Sequence, residues 1–292
     1  MSLLSRIEYQ SGFSELEKKI ADYLIEHKED VIHMNLKELA KATYTSTATI
    51  SRFCKKVGEK NFNDFRVHFA EVTQSQSFAT VNFNRPFLPD SSVGEIQYNI
   101  NDIYKQTIDG TNLVLDLNEL NRAVDCIDQT NIIDIFGFGD SYLTAQLFEH
   151  KMTYVNKYVN LKAIPTEQNQ QALYTNKDTV AIVISYSGET NELIKIAKIL
   201  KEKKTPIIVL TSIGDNRLSH YANYILNIGS REKIFTKIAP FASQTSIEYI
   251  LNVIFSCLFK KDYQTNIQNK ISYDKENDVR HPLHSPVNDI IE

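Results

Sequence analysis

The chain has 292 residues, with 32 Lys and Arg against 36 Asp and Glu and a net charge of −4, so it exceeds the usual size of one compact domain and two domains are expected. A mildly acidic chain has no global attraction for nucleic acid, and any DNA contact must come from a local patch. Three widely spaced cysteines, Cys54, Cys126 and Cys257, without a C-x-x-C pair argue against a disulfide framework or a cysteine zinc site and fit a reducing cytoplasm. Residues 1–13 lack an apolar run of signal-peptide length, and the apolar stretch 247–259 is too short to span a bilayer and carries Glu248. The expectation is a cytoplasmic protein with no membrane partner.

Residues 14–70 read as short amphipathic helices. Ser14 and Glu17 form a capping box, and Leu16, Ile20, Tyr23 and Leu24 share a face. A second helix over 36–41 follows an Asn35 cap; after Ala42-Thr43-Tyr44-Thr45, Ser46 caps a third that buries Ile50, Phe53 and Cys54; a fourth covers 63–72. Periodicity is then lost, and Pro86 and Pro89 mark an interdomain linker, placed at 76–92 behind a first domain of 1–75. A long helix over 93–115 spaces Ile96, Ile100, Ile103 and Ile108 to pack on a neighbour.

Beyond it, short β-branched runs at 132–136, 161–164, 180–184, 207–210 and 224–228 alternate with helical spacing at 142–154 and 192–203. This alternation predicts a doubly wound parallel sheet, an α/β domain over 93–261 closed by a helix at 240–258. Residues 262–292 are polar and read as a disordered or loosely packed tail.

A helix that enters the major groove must be slim enough to reach base edges and positive enough to hold phosphates. With Ile50, Phe53 and Cys54 turned inward, Thr47, Thr49, Ser51, Arg52, Lys55 and Lys56 face outward beside the Ser46 cap. Between 41 and 66, Lys41, Arg52, Lys55, Lys56, Lys60 and Arg66 face only Glu59 and Asp64. The competing reading makes Lys55 and Lys56 a solvated helix end that complements the dipole, on a bundle that serves as an interaction module. The runs EKKIADYLIEH, LKELAKATYTSTATISRFCKKVG and NFNDF resemble the N-terminal helix-turn-helix domain of the RpiR family of bacterial sugar-metabolism regulators. That resemblance implies a double-stranded DNA operator as partner. Tyr44 departs from it, standing where such turns commonly carry glycine; at positive φ a tyrosine is strained, so a differently shaped turn is the alternative.

Two loops follow predicted strands: Gly137-Phe138-Gly139-Asp140-Ser141 and Ser185-Tyr186-Ser187-Gly188-Glu189-Thr190. Hydroxyls and free N–H groups at the start of a helix form a neutral cradle for phosphate. For the first loop alone, a tight strand-to-helix turn explains the glycines equally well, and Tyr142 in place of a third glycine leaves a dinucleotide fingerprint unsupported. Together the loops resemble the sugar isomerase (SIS) fold over about 105–260. The resemblance implies phosphate contacts at Ser141, Ser185, Ser187 and Thr190, with Tyr186, Gly188 and Glu189 shaping the loop, and a phosphorylated sugar as ligand.

An isomerase or etherase, the alternative function, needs a positioned base. Glu149, His150 and Lys151 are consecutive and point to different faces, which fits a solvated surface or subunit contact better. His281 and His284 have metal-like spacing, but in a polar tail with Pro282 between them, and no metal or cofactor is assigned. The expected protein is a non-enzymatic regulator, a homodimer or homotetramer, whose DNA binding responds to a phosphosugar.

Overall fold

The computed structural model describes residues 3–10, 12–74 and 81–277. The beginning of the expected linker, the end of the expected tail, His281 and His284 lie outside the described residues. The N-terminal part is all helical: α1 Leu3–Tyr9, α2 Glu15–Glu26, α3 Lys28–Val31, α4 Leu36–Ala42, α5 Thr47–Lys56 and α6 Phe62–Gln74. Ser14 with Glu17 and Asn35 with Glu38 both form complete capping boxes, and Ser46 caps α5 through the Thr49 N–H. Ile7, Ile20, Leu24, Leu39, Ile50, Phe53, Phe65 and Phe69 make a continuous core. The short α1 and α3 were not expected, and Leu16, placed on the apolar face, is half exposed.

The segment after residue 80 is not a free linker. Val81 and Phe83 are buried against Ile103 and Ala242 in a small apolar cluster. A third capping box, Ser92 with Glu95, starts α7 Val93–Val114. Its buried stripe runs through Ile103, Thr107, Gly110, Thr111 and Val114, whereas Ile108 faces outward. Small residues on that stripe let α7 approach α12 Phe241–Lys261 closely enough for Thr111 Oγ1 and Ser246 Oγ to hydrogen-bond at 2.8 Å.

After α8 Leu117–Asp128 come β1 Ile132–Phe136, α9 Asp140–Met152, β2 Tyr158–Leu161, α10 Pro165–Tyr174, β3 Val180–Ile184, α11 Asn191–Glu202, β4 Ile207–Ser212 and β5 Tyr224–Ile228. The five strands are all parallel in the order β2-β1-β3-β4-β5. Helices α8, α9 and α12 cover one face and α10 and α11 the other, each over its own apolar cluster. Strand β2 lies three residues upstream of its expected start at 161, an edge strand whose outward residues blur the apolar run. The tail continues as helix α13 Tyr263–Asn277, anchored where Asn266 donates from Nδ2 to the Phe259 carbonyl at 3.0 Å. That segment is therefore not irregular. Among the described residues, no helix is long and apolar enough to cross a membrane.

Candidate functional site

Helices α4 and α5 meet in a turn closed by backbone bonds from Tyr44 N–H to Lys41 C=O (3.2 Å) and from Thr45 N–H to Ala40 C=O (2.8 Å). This is the paired hydrogen-bond pattern that ends a helix on a left-handed residue. Tyr44 occupies that position at φ 53° with 95 % of its surface exposed. Thr43 buttresses the turn, its hydroxyl 2.8 Å from the Leu39 carbonyl and 2.9 Å from the Thr45 hydroxyl.

The turn presents α5 with Ile50, Phe53 and Cys54 buried, as expected. Burial in this core pushes the Cys54 thiol up to about 12. Ser46, Thr47, Arg52 and Lys55 are exposed, and Thr49 and Ser51 half-buried. Ser46 Oγ accepts the Thr49 N–H, and Ser51 Oγ donates to the Thr47 carbonyl at 2.9 Å. Lys56 is engaged within the domain: its ammonium donates to the Gly12 carbonyl at 2.6 Å and to the Glu17 carboxylate at 2.7 Å, above the Phe13 ring.

The second constellation sits where strand order reverses. In a 2-1-3-4-5 sheet the crevice opens between the carboxyl ends of β1 and β3, and both Gly/Ser loops leave from those ends. A cavity of about 190 Å³ there is lined by Phe138, Ser141, Ser185, Tyr186, Ser187 and Thr190, with Ile234 and Lys237 arriving from the segment after β5. A smaller cavity of about 100 Å³ adjoins it and adds Asp140, Ser243 and Gln244. Ser185 Oγ lies 3.2 Å from Thr190 Oγ1 and accepts the Gly188 N–H, while Ser187 Oγ accepts the Glu189 N–H at 3.1 Å.

Two helices begin at this cavity, and neither receives a side-chain cap. Gly139 precedes α9 at φ 56° and Thr190 precedes α11; α3 and α10 also lack a side-chain cap, whereas α2, α4, α5, α7 and α8 each have one. The first turns of α9 and α11 therefore keep N–H groups available beside the hydroxyls, the arrangement that suits an anion. The first loop is held by buried Gln168, which accepts the Gly137 N–H at 3.2 Å and donates to the Gly137 carbonyl at 2.8 Å.

Glu189 is turned away from the cavity. Its carboxylate accepts from Arg217 N–H at 2.9 Å and pairs with the Arg217 guanidinium, contacts that hold its carboxyl below the usual range. Lys237 was not foreseen from the sequence. It brings a cation to the cavity, 3.0 Å from Glu232 Oε2 and 5.1 Å above the Tyr186 ring centre. Glu232 is buried and caps α12, accepting the Ala242 N–H and the Ser243 hydroxyl. No sequence spacing links Glu232 or Lys237 to the two Gly/Ser loops, because the long connection after β5 carries no periodic pattern.

The triplet considered for catalysis is dispersed. Lys151 donates to Asn252, His150 contacts Tyr154 at 3.2 Å, and Glu149 lines neither cavity; burial pushes its carboxyl up against the opposing pull of Lys162. Among the described residues no three His, Cys, Asp or Glu gather as a metal site.

Residues 1–76 match the helix-turn-helix domain of the rpiR family, and residues 127–253 match the SIS domain. An uncharacterized helix-turn-helix-type transcriptional regulator of Caldanaerobacter subterraneus is 30 % identical over 256 residues, 88 % of this chain and 89 % of that protein. The helix-turn-helix-type regulator HexR of Escherichia coli is 29 % identical over 215 residues, 73 % of each chain. Among solved structures, Vibrio vulnificus NanR complexed with ManNAc-6P superposes with a TM-score of 0.60 at 24 % identity, over 96 % of this chain and 100 % of that one. A helical N-terminal bundle, a parallel SIS-type sheet and relatives matched along most of their length lead to one assignment: this chain belongs to the RpiR family of helix-turn-helix transcriptional regulators that carry a SIS domain.

Proposed function

We propose that a phosphorylated sugar seated between the β1 and β3 loops modulates how this regulator binds its operator. One observation carries the reading: the hydroxyls of Ser141, Ser185, Ser187 and Thr190 and two uncapped helix N-termini converge on one cavity at the switch point, with the Lys237 ammonium beside them. Gly137, Gly139, Asp140, Tyr186 and Gly188 shape that cradle, and Glu189 acts from outside by fixing the loop to Arg217. The complex of the NanR protein with ManNAc-6P supports a sugar phosphate as the ligand class. Ser46, Thr47, Thr49, Ser51, Arg52 and Lys55 form the DNA-reading face, while Lys56 secures α5 to α2.

The chain works without catalysis, in the cytoplasm, as a homodimer or homotetramer that presents paired α5 helices to a roughly palindromic site. Residues 1–75 form the DNA-binding unit and 93–261 the sensing unit, with the segment between them packed on the latter through Val81 and Phe83.

The test selects DNA sites from a random pool, then measures affinity for the selected site with and without a panel of sugar phosphates. Ser187→Ala weakens sugar-phosphate binding while thermal stability stays near wild type. Arg52→Ala weakens operator binding and, for a phosphate contact, lowers the salt slope by about one. Turnover of any panel member would move the chain to the isomerase class; absence of sequence-specific retention would remove the DNA reading.

A further inference from the structure

The segment that delivers Lys237 to the cradle also touches the DNA-binding domain, and its side chains divide between the two. On the inner side, the Tyr186 hydroxyl donates to the Glu232 carbonyl at 2.7 Å, and the buried Glu232 carboxylate holds the Lys237 ammonium at 3.0 Å. On the outer side, the Arg231 guanidinium pairs with Glu8 of α1 at 2.9 Å and lies 4.9 Å from the Phe83 ring centre. Lys233 reaches Asp22 of α2 at 3.4 Å, and its N–H donates to Asn84 Oδ1 at 2.7 Å. The Glu8 side chain is only 6 % exposed, and burial raises its carboxyl despite the attraction of Arg231 and Lys28. A cavity of about 430 Å³ beside the pair, lined by Glu8, Asp22, Lys28, Phe83, Arg231 and Lys233, leaves room for it to rearrange.

We infer that Arg231 and Glu8 are positioning residues that latch the DNA-binding domain to the sensing domain, and that an anion in the cradle opens the latch by drawing Lys237 away from Glu232. The inference rests on the sugar-phosphate reading of the cradle. Only five residues separate Arg231 from Lys237, and Glu232 adjoins Arg231 directly. A phosphate competes with Glu232 for one ammonium; once the cation leaves, a buried carboxylate is left short of a counter-charge, and the segment has to move. Arg231 moves with it. The cavity beside the pair gives the parted side chains somewhere to go, and the latch is treated as closed or open.

Hydrogen exchange of the full chain, followed by mass spectrometry, tests both parts. Without added ligand, Arg231→Met and Glu8→Gln should each raise exchange in α1 and in residues 81–84 by about tenfold, with the β1, β3 and β4 amides unchanged. The double charge swap Glu8→Arg with Arg231→Glu should restore protection. Exchange in both single variants equal to wild type overturns the latch.

The trigger is tested with glucose 6-phosphate, N-acetylmannosamine 6-phosphate and inorganic phosphate, whose binding is measured by calorimetry on the same samples. A probe that binds should raise α1 exchange in the wild type to the level of Arg231→Met, and should bind that variant without raising it further. Binding with no change at α1 overturns the trigger while leaving the cradle intact. If no probe binds, the sugar-phosphate reading fails and the trigger with it, and the latch is still decided by the ligand-free variants.

Discussion

Tyr44 holds a left-handed backbone at φ 53° while burying almost none of its side chain. At the end of α5 the equivalent position is Gly58, with the same pair of backbone bonds from Gly58 to Lys55 and from Glu59 to Cys54. The left-handed region costs an ordinary L-residue about 1–2 kcal/mol, and asparagine much less. Tyr44→Asn should therefore raise stability by about 0.5–1 kcal/mol in urea unfolding. Under the proposed DNA-reading role of α5, this strained and exposed aromatic at its entry contacts the operator, and the same variant should bind the selected operator more weakly. Unchanged stability would mean the turn relaxes around the tyrosine. Gly188 is the opposite case: φ is 65°, and a Cβ there would overlap the Asn216 carboxamide, which is pinned by bonds to Thr211 and from the Ser219 N–H. Gly188→Ala should cost about 2–4 kcal/mol, the sum of backbone strain and overpacking, and should distort the cradle.

Elements whose signal is local were legible in the sequence. The Ser14–Glu17 and Asn35–Glu38 boxes fix helix starts through two reciprocal bonds each, and fully buried β3 reads as an unbroken apolar run rich in β-branched residues. Elements stabilised by buried polar groups were hidden. Helix α10 turns Gln168 and Gln171 inward, to Gly137 and Asp134, so its inner face looks like surface in the sequence. Likewise the α7 stripe of Thr107, Gly110 and Thr111 is polar by type yet buried, which drew the expected face toward the isoleucines. That the hydroxyls of Ser141, Ser185, Ser187 and Thr190 gather at one place was readable because they lie on two short loops, and the structure puts them around one cavity; Lys237 and Glu232 were not readable, because only tertiary packing brings their segment to those loops. The α7–α12 seam carries its own prediction. Ser246 Oγ accepts the Gly229 N–H at 3.0 Å and meets the Thr111 hydroxyl, all of it buried. Ser246→Ala strands the buried Gly229 N–H, while the Thr111 hydroxyl keeps its bond to the Thr107 carbonyl at 2.7 Å, and should destabilise the sensing domain by about 1–3 kcal/mol, measured by urea unfolding followed at the sheet.

At the scale of the whole molecule, the sheet order places the cradle at the β1/β3 switch point, and the segment after β5 connects that point to α1 and α2. Two ligands that act on one closed-or-open equilibrium are thermodynamically linked: if the sugar phosphate prefers the open arrangement and the operator the closed one, each must weaken the other by the same factor. Couplings of this kind typically amount to about 1–3 kcal/mol, or roughly 5- to 150-fold, and here the largely buried Arg231–Glu8 pair rather than the exposed Lys233–Asp22 contact would carry it. Operator affinity measured by anisotropy at saturating sugar phosphate, and sugar-phosphate affinity measured by calorimetry at saturating operator, should therefore change by equal factors at a fixed salt concentration. Salt must be held because the DNA arm depends on it steeply through phosphate contacts, while the latch, shielded from solvent at Glu8, depends on it much less. Arg231→Met should bring both factors toward one together. An Arg231→Met variant that keeps the full wild-type factor in both titrations would show that the coupling between the two sites does not run through this latch.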